Sequence, residues 1–156
     1  LGRVYHGYWW DRSLAENCIK ALSDDLEVEF IQQLIRTHDL VPARAPLHLD
    51  NWVWPYRIYT LGRFAITHYD EPLSMTSKSS KKPLELLKFL IAHGGRQVSQ
   101  ELLIELMWPD SEGDAAVQSL YTTTHRLRKM LNDHAVVMQD GRLSIDPNYI
   151  WVDSMV

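Results

Sequence analysis

The chain of 156 residues has one cysteine, Cys18. That excludes an internal disulfide and a cysteine-based zinc site, and it fits a reducing, cytoplasmic compartment. Cys18 itself reads as a small core residue. No apolar run approaches the roughly 20 residues that a membrane-spanning helix needs, so no membrane partner is expected. No secretory signal occupies the start. The first residue is Leu1 rather than Met, and the sequence reads as a piece that begins inside a longer protein. Catalytic signatures are missing as well: there is no His-Glu-x-x-His, no nucleophile elbow and no Walker lysine loop. Gly94-Gly95-Arg96 follows a helical pattern instead of opening one, which makes it a helix stop and not a phosphate cradle. The reading is of a protein that is not an enzyme and that uses no metal and no cofactor. An excess of positive charge, common in nucleic-acid binders, is also lacking, since the net charge is −4. The distribution softens that objection. Seven of the sixteen Lys and Arg residues fall in two groups, Lys78, Lys81, Lys82 and Lys88, then Arg126, Arg128 and Lys129. A local patch of that kind can meet phosphates on a molecule that is acidic elsewhere.

What the chain does have is enough apolar material, 46%, for a real core. Its pattern divides the sequence into three parts. Residues 1–40 carry two amphipathic helical patterns, Ser13 to Leu22 and Val28 to Ile35, with apolar residues three and four apart. They read as the tail of an upstream sensor or helical-repeat region, or as a docking hairpin, and cannot bury their apolar faces alone. Residues 41–55, with Pro42, Pro46 and Pro55, read as a linker. Trp52 and Trp54 suggest that this linker is pinned to a surface. Together with Trp9 and Trp10 they either attach the helices to a neighbouring sheet or mark an exposed partner contact.

From residue 56 the period changes. Arg57 to Gly62 and Phe64 to Tyr69 alternate like strands, Asp70-Glu71-Pro72 reads as a turn, and Leu73 to Thr76 as a short third strand. Three helical patterns come next. The first is capped by Ser79 or Ser80, with Pro83 in its opening turn. Leu84, Leu87, Phe89, Leu90 and Ile91 lie on its core side, and Gly94-Gly95 ends it. The second is capped by Ser99, places Leu102, Leu103, Leu106 and Met107 inward, and stops at Trp108-Pro109. The third opens at Asp114 and runs to Leu131. Two alternating runs, Val136 to Gln139 and Arg142 to Ile145, then flank Asp140-Gly141, a strong hairpin signal. Asn148 to Asp153 can add one more strand. Sheet, three helices and hairpin make an α+β winged helix-turn-helix over residues 56–156, with 136–145 as the wing.

The third helix carries the functional reading. Ala116 or Val117, Leu120, Thr124, Leu127 and Leu131 repeat at three and four and face the core. Ser119, Thr122, Thr123 and Arg126 then lie on an exposed side, flanked by Gln118, Tyr121, His125, Arg128 and Lys129. A major groove about 12 Å wide admits such a helix. Arg126 suits guanine, Gln118 suits adenine, and Thr122 and Thr123 suit a thymine methyl or a phosphate. Arg128 and Lys129, near the helix end, suit phosphates. Arg142, beside Gly141 at the wing tip, suits a narrow minor groove. Adjacent threonines are poor helix formers on a face that needs only solubility. Arginine and lysine in a last turn also favour the helix dipole, so the helix alone does not decide the matter.

Five fragments in order resemble the OmpR/PhoB-type winged helix, and more closely the SARP-type bacterial transcriptional activators. They are Leu61-Gly62-Arg63-Phe64, Leu84-Glu85-Leu86-Leu87, Leu106-Met107-Trp108-Pro109-Asp110, His125-Arg126-Leu127-Arg128-Lys129 and Trp151-Val152-Asp153. The likeness covers roughly residues 56–153. It implies binding to double-stranded promoter DNA, as a homodimer on direct repeats, with contacts to RNA polymerase. By position it implies groove contacts from Gln118, Ser119, Thr122, Thr123, Arg126 and Arg128, with Arg142 on the wing. Many members place a histidine or a basic residue where Thr123 stands, so base preference does not transfer. The resemblance also implies a fourth strand in the opening sheet, which the sequence does not make obvious unless Gln97-Val98 pairs with the wing. The alternative reading is a winged-helix module that binds protein and not DNA.

Overall fold

The computed structural model describes residues 8–75, 77–111 and 113–155, with side chains from Arg12 onward. The side chains of Trp9 and Trp10, and the whole of Thr76, lie outside the described residues. Two antiparallel helices come first, α1 (Tyr8–Ser23) and α2 (Val28–His38). A proline-rich segment leads to strands β1 (Tyr56–Tyr59), β2 (Ala65–His68) and β3 (Glu71–Pro72). Helices α3 (Lys81–Ala92), α4 (Gln100–Met107) and α5 (Gly113–Met130) come after it, with the two-residue strand β4 (Val98–Ser99) between the first two. Strands β5 (Val136–Gln139), β6 (Arg142–Ile145) and β7 (Ile150–Val152) close the fold.

Two sheets result. The first has the order β3-β2-β1-β7, and the second β4-β6-β5. The fourth strand of the opening sheet is therefore β7, which runs parallel to β1 with Ile58 opposite Val152. Val98 does pair with the wing, opposite Leu143. The expected third strand at Leu73 to Thr76 is corrected to Glu71–Pro72. The reversal sits one step earlier, at Tyr69 and Asp70, both in the left-handed region with φ of 47° and 70°. Asp70 tolerates that conformation, and the two residues make the tight primed turn that a twisted hairpin favours.

Period-2 alternation in β1 and β7 splits the molecule into two cores. Tyr56, Ile58, Ile150 and Val152 point to one side, where they join Leu86, Leu87, Leu90, Leu103, Leu120 and Leu127 of the three helices. On the other side Trp151 joins Trp52, Trp54, Cys18, Leu22 and Ile35. The helical pair thus packs on the back of the opening sheet. Trp52 and Trp54 are buried, which decides for attachment over an exposed partner contact at these two positions. The Trp54 indole Nε1 donates to the Pro147 carbonyl at 2.9 Å. The Arg57 guanidinium lies 5.7 Å from the Trp54 ring and 5.5 Å from the Trp151 ring.

Three local expectations are revised. Ser80 does not cap α3. Its hydroxyl donates backward to the carbonyls of Ser77 and Met75, and a short 3₁₀ turn at 78–80 precedes the helix. Leu86 lies at the centre of the core side of α3, whereas Leu84, Phe89 and Ile91 are only partly buried. Leu106 is exposed, because Leu103 and Met107 already fill the inward face of α4. Ser99 caps α4 as expected, accepting from the Leu102 N–H at 3.2 Å.

Two of the sequence fragments meet in space. The Asp153 carboxylate, just past β7, accepts from the backbone N–H of Thr60 at 2.9 Å, the N–H of Leu61 at 3.0 Å and the Thr60 hydroxyl at 2.6 Å. Burial pushes its pKa up, and the hydrogen bonds from Thr60 and Leu61 outweigh that and hold it below the usual aspartate value. A group depressed in this way contributes stability above its unfolded-state value and loses it as pH falls through the folded one. Asp153→Asn is therefore expected to melt lower than the parent at neutral pH. The gap should begin to narrow near the ordinary aspartate value of about 3.9 and close only below the lower folded value. Melting curves across that range check it, and a gap that persists unchanged in acid counts against the role.

Candidate nucleic-acid interface

Helix α5 is long because its core stripe is continuous and its ends are marked. Ala116, Leu120, Thr123, Thr124 and Leu127 are all buried against α3 and α4, and Asp114 sits in the first turn where the helix dipole favours an anion. At 3.6 residues per turn, the residues opposite that stripe are Gln118, Tyr121, Thr122, His125 and Lys129, with Arg126 beside them. Gln118, Tyr121, His125, Arg126 and Lys129 are exposed and Thr122 is half-buried. The helical pair packs on the back of the opening sheet, and among the described residues none of it covers this flank.

The predicted site residues separate. Gln118, Thr122 and Arg126 share the open flank, and among the described residues their side chains make no hydrogen bond or ion pair. Ser119 is half-buried, and its hydroxyl donates to the Ala115 carbonyl at 2.9 Å. Lys129 is exposed, with its Nζ 3.6 Å from Asp133, a surface pair worth little. Thr123 is 5% exposed, and its expected place on the open side is corrected: it sits only four residues from Leu127 and faces inward with it. Two adjacent threonines in the core face explain the run of three without a groove contact for each. Thr124 is also buried, and its hydroxyl has no partner. A buried, unmade hydroxyl bond costs about 1–3 kcal/mol, so Thr124→Val, of similar shape, is expected to raise stability by about 1 kcal/mol. A denaturant titration measures this, and a drop instead would show that the hydroxyl has a partner.

Arg128 leaves the flank too. Its Nε donates to the Val136 carbonyl at 2.8 Å, and its side chain borders a cleft of about 610 Å³ beside Asp39, Pro42, His134 and Tyr149. It ties the end of α5 to the first wing strand and so acts on the position of the wing. Arg142 stands on the wing opposite Gln139 and donates from Nη1 to the Gln97 carbonyl at 3.1 Å. The wing turn, Asp140 and Gly141 with φ of 50° and 68°, is the primed type that its Asp-Gly sequence demands. Of the lysines at the start of α3, Lys82 is held within the protein. Its Nζ donates to the Met107 carbonyl at 3.1 Å, pairs with Glu85 at 2.9 Å and lies over the Trp108 ring. Lys88 lies 4.5 Å over the Phe64 ring. Lys78 and Lys81 remain exposed.

Sequence puts Tyr121 and His125 beside the open polar face, yet they stand near its centre. The signal that finds them is their spacing of three and seven from Gln118, which puts all three on one stripe.

Residues 74–140 match the model of a known family, transcriptional regulatory protein, C terminal. The match runs from before α3 to the wing turn, somewhat under half of the chain, and the strands β6 and β7 that complete the winged helix lie beyond it. That family comprises the DNA-binding output ends of transcriptional regulators of the OmpR/PhoB type and is one of regulators, not of enzymes. No curated protein matches the chain. Among the described residues no helix is long and apolar enough to cross a membrane.

Proposed function

We propose that the chain is the sequence-specific DNA-binding output module of a bacterial transcriptional activator, with α5 in the major groove and the β5–β6 wing on the adjacent minor groove. The observation that carries this reading is the open polar flank of α5 on a winged helix. Five neighbouring side chains there have the donors and acceptors that base edges need and no partner within the described chain. Gln118, Thr122, His125 and Arg126 read bases, and Tyr121 stacks along a sugar or a thymine methyl. Ser119 and Lys129 meet phosphates, and Arg142 enters the minor groove. Thr123 supports the helix from inside, and Arg128 positions the wing. Residues 1–40 serve as the end of an upstream sensor or helical-repeat region, residues 41–55 join it to the winged helix of 56–156, and the whole acts in the cytoplasm. Binding to direct repeats as a homodimer, contacts to RNA polymerase and the SARP-like subtype rest on the likeness of the five sequence fragments.

The test is a genome-wide selection of DNA fragments bound by the chain, then titration of the best site against salt. Enrichment of one motif is expected, with log K falling by about 0.9 per log unit of salt for each phosphate neutralised. A chain that enriches no motif and ignores every duplex at low ionic strength is instead a protein-binding module.

A further inference from the structure

The cleft of about 610 Å³ beside Arg128 lies where the helical pair and its proline-rich segment meet the winged helix. Three parts of the chain wall it: Arg12 and Pro42 from the first part, Arg128 and His134 from the end of α5 and the loop after it, and Met138 and Tyr149 from β5 and the loop before β7. Its size is that of a small-molecule site, roughly 300–1,000 Å³, and a junction between structural units is a usual place for one. Polar groups here are left unmet. Arg128 is half-buried, and its Nε is spent on the Val136 carbonyl at 2.8 Å. Its Nη1 and Nη2 have no partner among the described residues. Asn148 also lines the cleft, and its Oδ1 is buried with no partner among the described residues. Donors without an acceptor and an acceptor without a donor thus border one space. Three carboxylates line it as well, and each is engaged away from Arg128. Asp39 accepts from the Tyr69 hydroxyl at 2.6 Å, Asp146 from the Asn148 backbone N–H at 2.9 Å, and Asp133 lies 3.6 Å from the Lys129 Nζ.

We propose that this cleft binds a small zwitterion, a carboxylate and an ammonium carried on a short apolar stem. The carboxylate takes the open Nη1–Nη2 edge of Arg128, whose fork suits two-point binding of a carboxylate. The ammonium supplies the donor that Asn148 lacks and faces the aspartates. The stem lies along Pro42 and the stacked rings of His134 and Tyr149, whose centroids are 5.8 Å apart. The charge decides the class of ligand. Two arginines stand against three aspartates at this cleft, so an anion alone meets the fork but also an acidic surround, and a cation alone leaves the fork unmet. A molecule with both ends meets each group with its opposite. Because the helical pair and the winged helix share the walls, the bound zwitterion bridges them and stabilises the fold by mass action. None of these groups belongs to the flank of α5 proposed for DNA, so the zwitterion site and the DNA reading stand or fall separately.

The test uses the ¹⁵N-labelled chain and four probes of equal carbon number: ε-aminohexanoate and L-norleucine as zwitterions, hexanoate with the anionic end alone and hexylamine with the cationic end alone. At least one zwitterion is expected to shift residues 39–43 together with 133–149 and to raise the melting temperature. Each single-charge probe should bind at least tenfold more weakly than that zwitterion. Ala43→Trp fills the cleft from an exposed position on its wall, and should weaken binding at least tenfold with the melting temperature of the free chain unchanged. Arg128→Lys keeps the charge and loses the fork, and should weaken binding by a similar factor. Its melting temperature, read beside its affinity, reports separately on the lost Val136 bond. No shift change with either zwitterion at millimolar concentration, or changes centred elsewhere, would overturn the site. Equal affinity for hexanoate or for hexylamine would overturn the zwitterion as its ligand, and indifference of binding to Ala43→Trp would put the ligand outside the cleft.

Discussion

Trp54→Ala is expected to destabilise the protein by about 3–5 kcal/mol, the range for removing a buried tryptophan. Trp54 is 2% exposed and joins three parts of the chain that are distant in sequence. Its ring packs with the residues of the helical pair and meets the Trp151 ring at 6.5 Å, and its indole N–H closes on the Pro147 carbonyl beyond the wing. Without it, Arg57 keeps one aromatic face in place of two, and its buried Nε, which has no hydrogen bond, gains access to water through the cavity. Elsewhere the arm meets the sheet through the rest of the buried cluster around Trp54, Trp52 above all, and through exposed polar contacts such as Arg36 with Asp70 at 2.8 Å and Tyr69 with Asp39 at 2.6 Å. Contacts of that kind contribute roughly 0–1 kcal/mol each. Denaturant unfolding monitored by circular dichroism gives the loss. Hydrogen exchange should show α1 and α2 losing protection before α3 and α5 do. A loss below about 1 kcal/mol, or equal protection throughout, would mean that the arm is held by something other than the tryptophan cluster.

That cluster marks where sequence reasoning succeeds and where it stops. Tryptophans in a proline-rich segment announce a pinned connection, because large aromatic rings are rarely left in solvent without a partner. The sheet that receives them is harder to see. Strand β7 is three residues long and pairs with β1 across more than 90 positions, and nothing local in Ile150–Val152 names that neighbour. Strand β3 is expected two residues late because Asp70-Glu71-Pro72 has turn composition. The turn needs only Tyr69 and Asp70, and Pro72 is tolerated at an edge position. The helices are legible from their period, and the hairpin from Asp140-Gly141. Within α5 the period gives the core stripe but blurs its margin. Thr123 and Thr124 are neighbours of Leu120 and Leu127 on the wheel, and hydroxyl chemistry suggests the outside for one of them where packing takes both. Arg128 reads as a phosphate ligand from its place in the last turn. Its bond to Val136 depends on where β5 lands, which only the tertiary structure fixes.

Arg126→Ala is expected to weaken binding to the selected site by about 1–3 kcal/mol, roughly a tenfold to hundredfold loss. The substitution is clean. Arg126 is exposed on α5 and has no hydrogen bond or ion pair among the described residues, so its removal leaves the fold untouched. Lys129 is balanced by Asp133, Arg142 by the Gln97 carbonyl and Arg128 by the Val136 carbonyl, so Arg126 is the arginine of this face whose donors are wholly available. The salt dependence says what it touches. If the guanidinium grips a base, the loss is confined to the specific site, the preference at one position relaxes and the salt slope is kept. If it grips a phosphate, all duplexes weaken alike and the slope falls by about 1. Arg128→Ala provides the contrast, because it should reduce stability by releasing the buried edge of the wing and should weaken DNA binding through the wing. Unchanged affinity and unchanged motif for a correctly folded Arg126→Ala would remove Arg126 from the proposed interface. The groove-facing role of α5 would then rest on Gln118, Tyr121, Thr122 and His125, with no guanidinium fork for guanine.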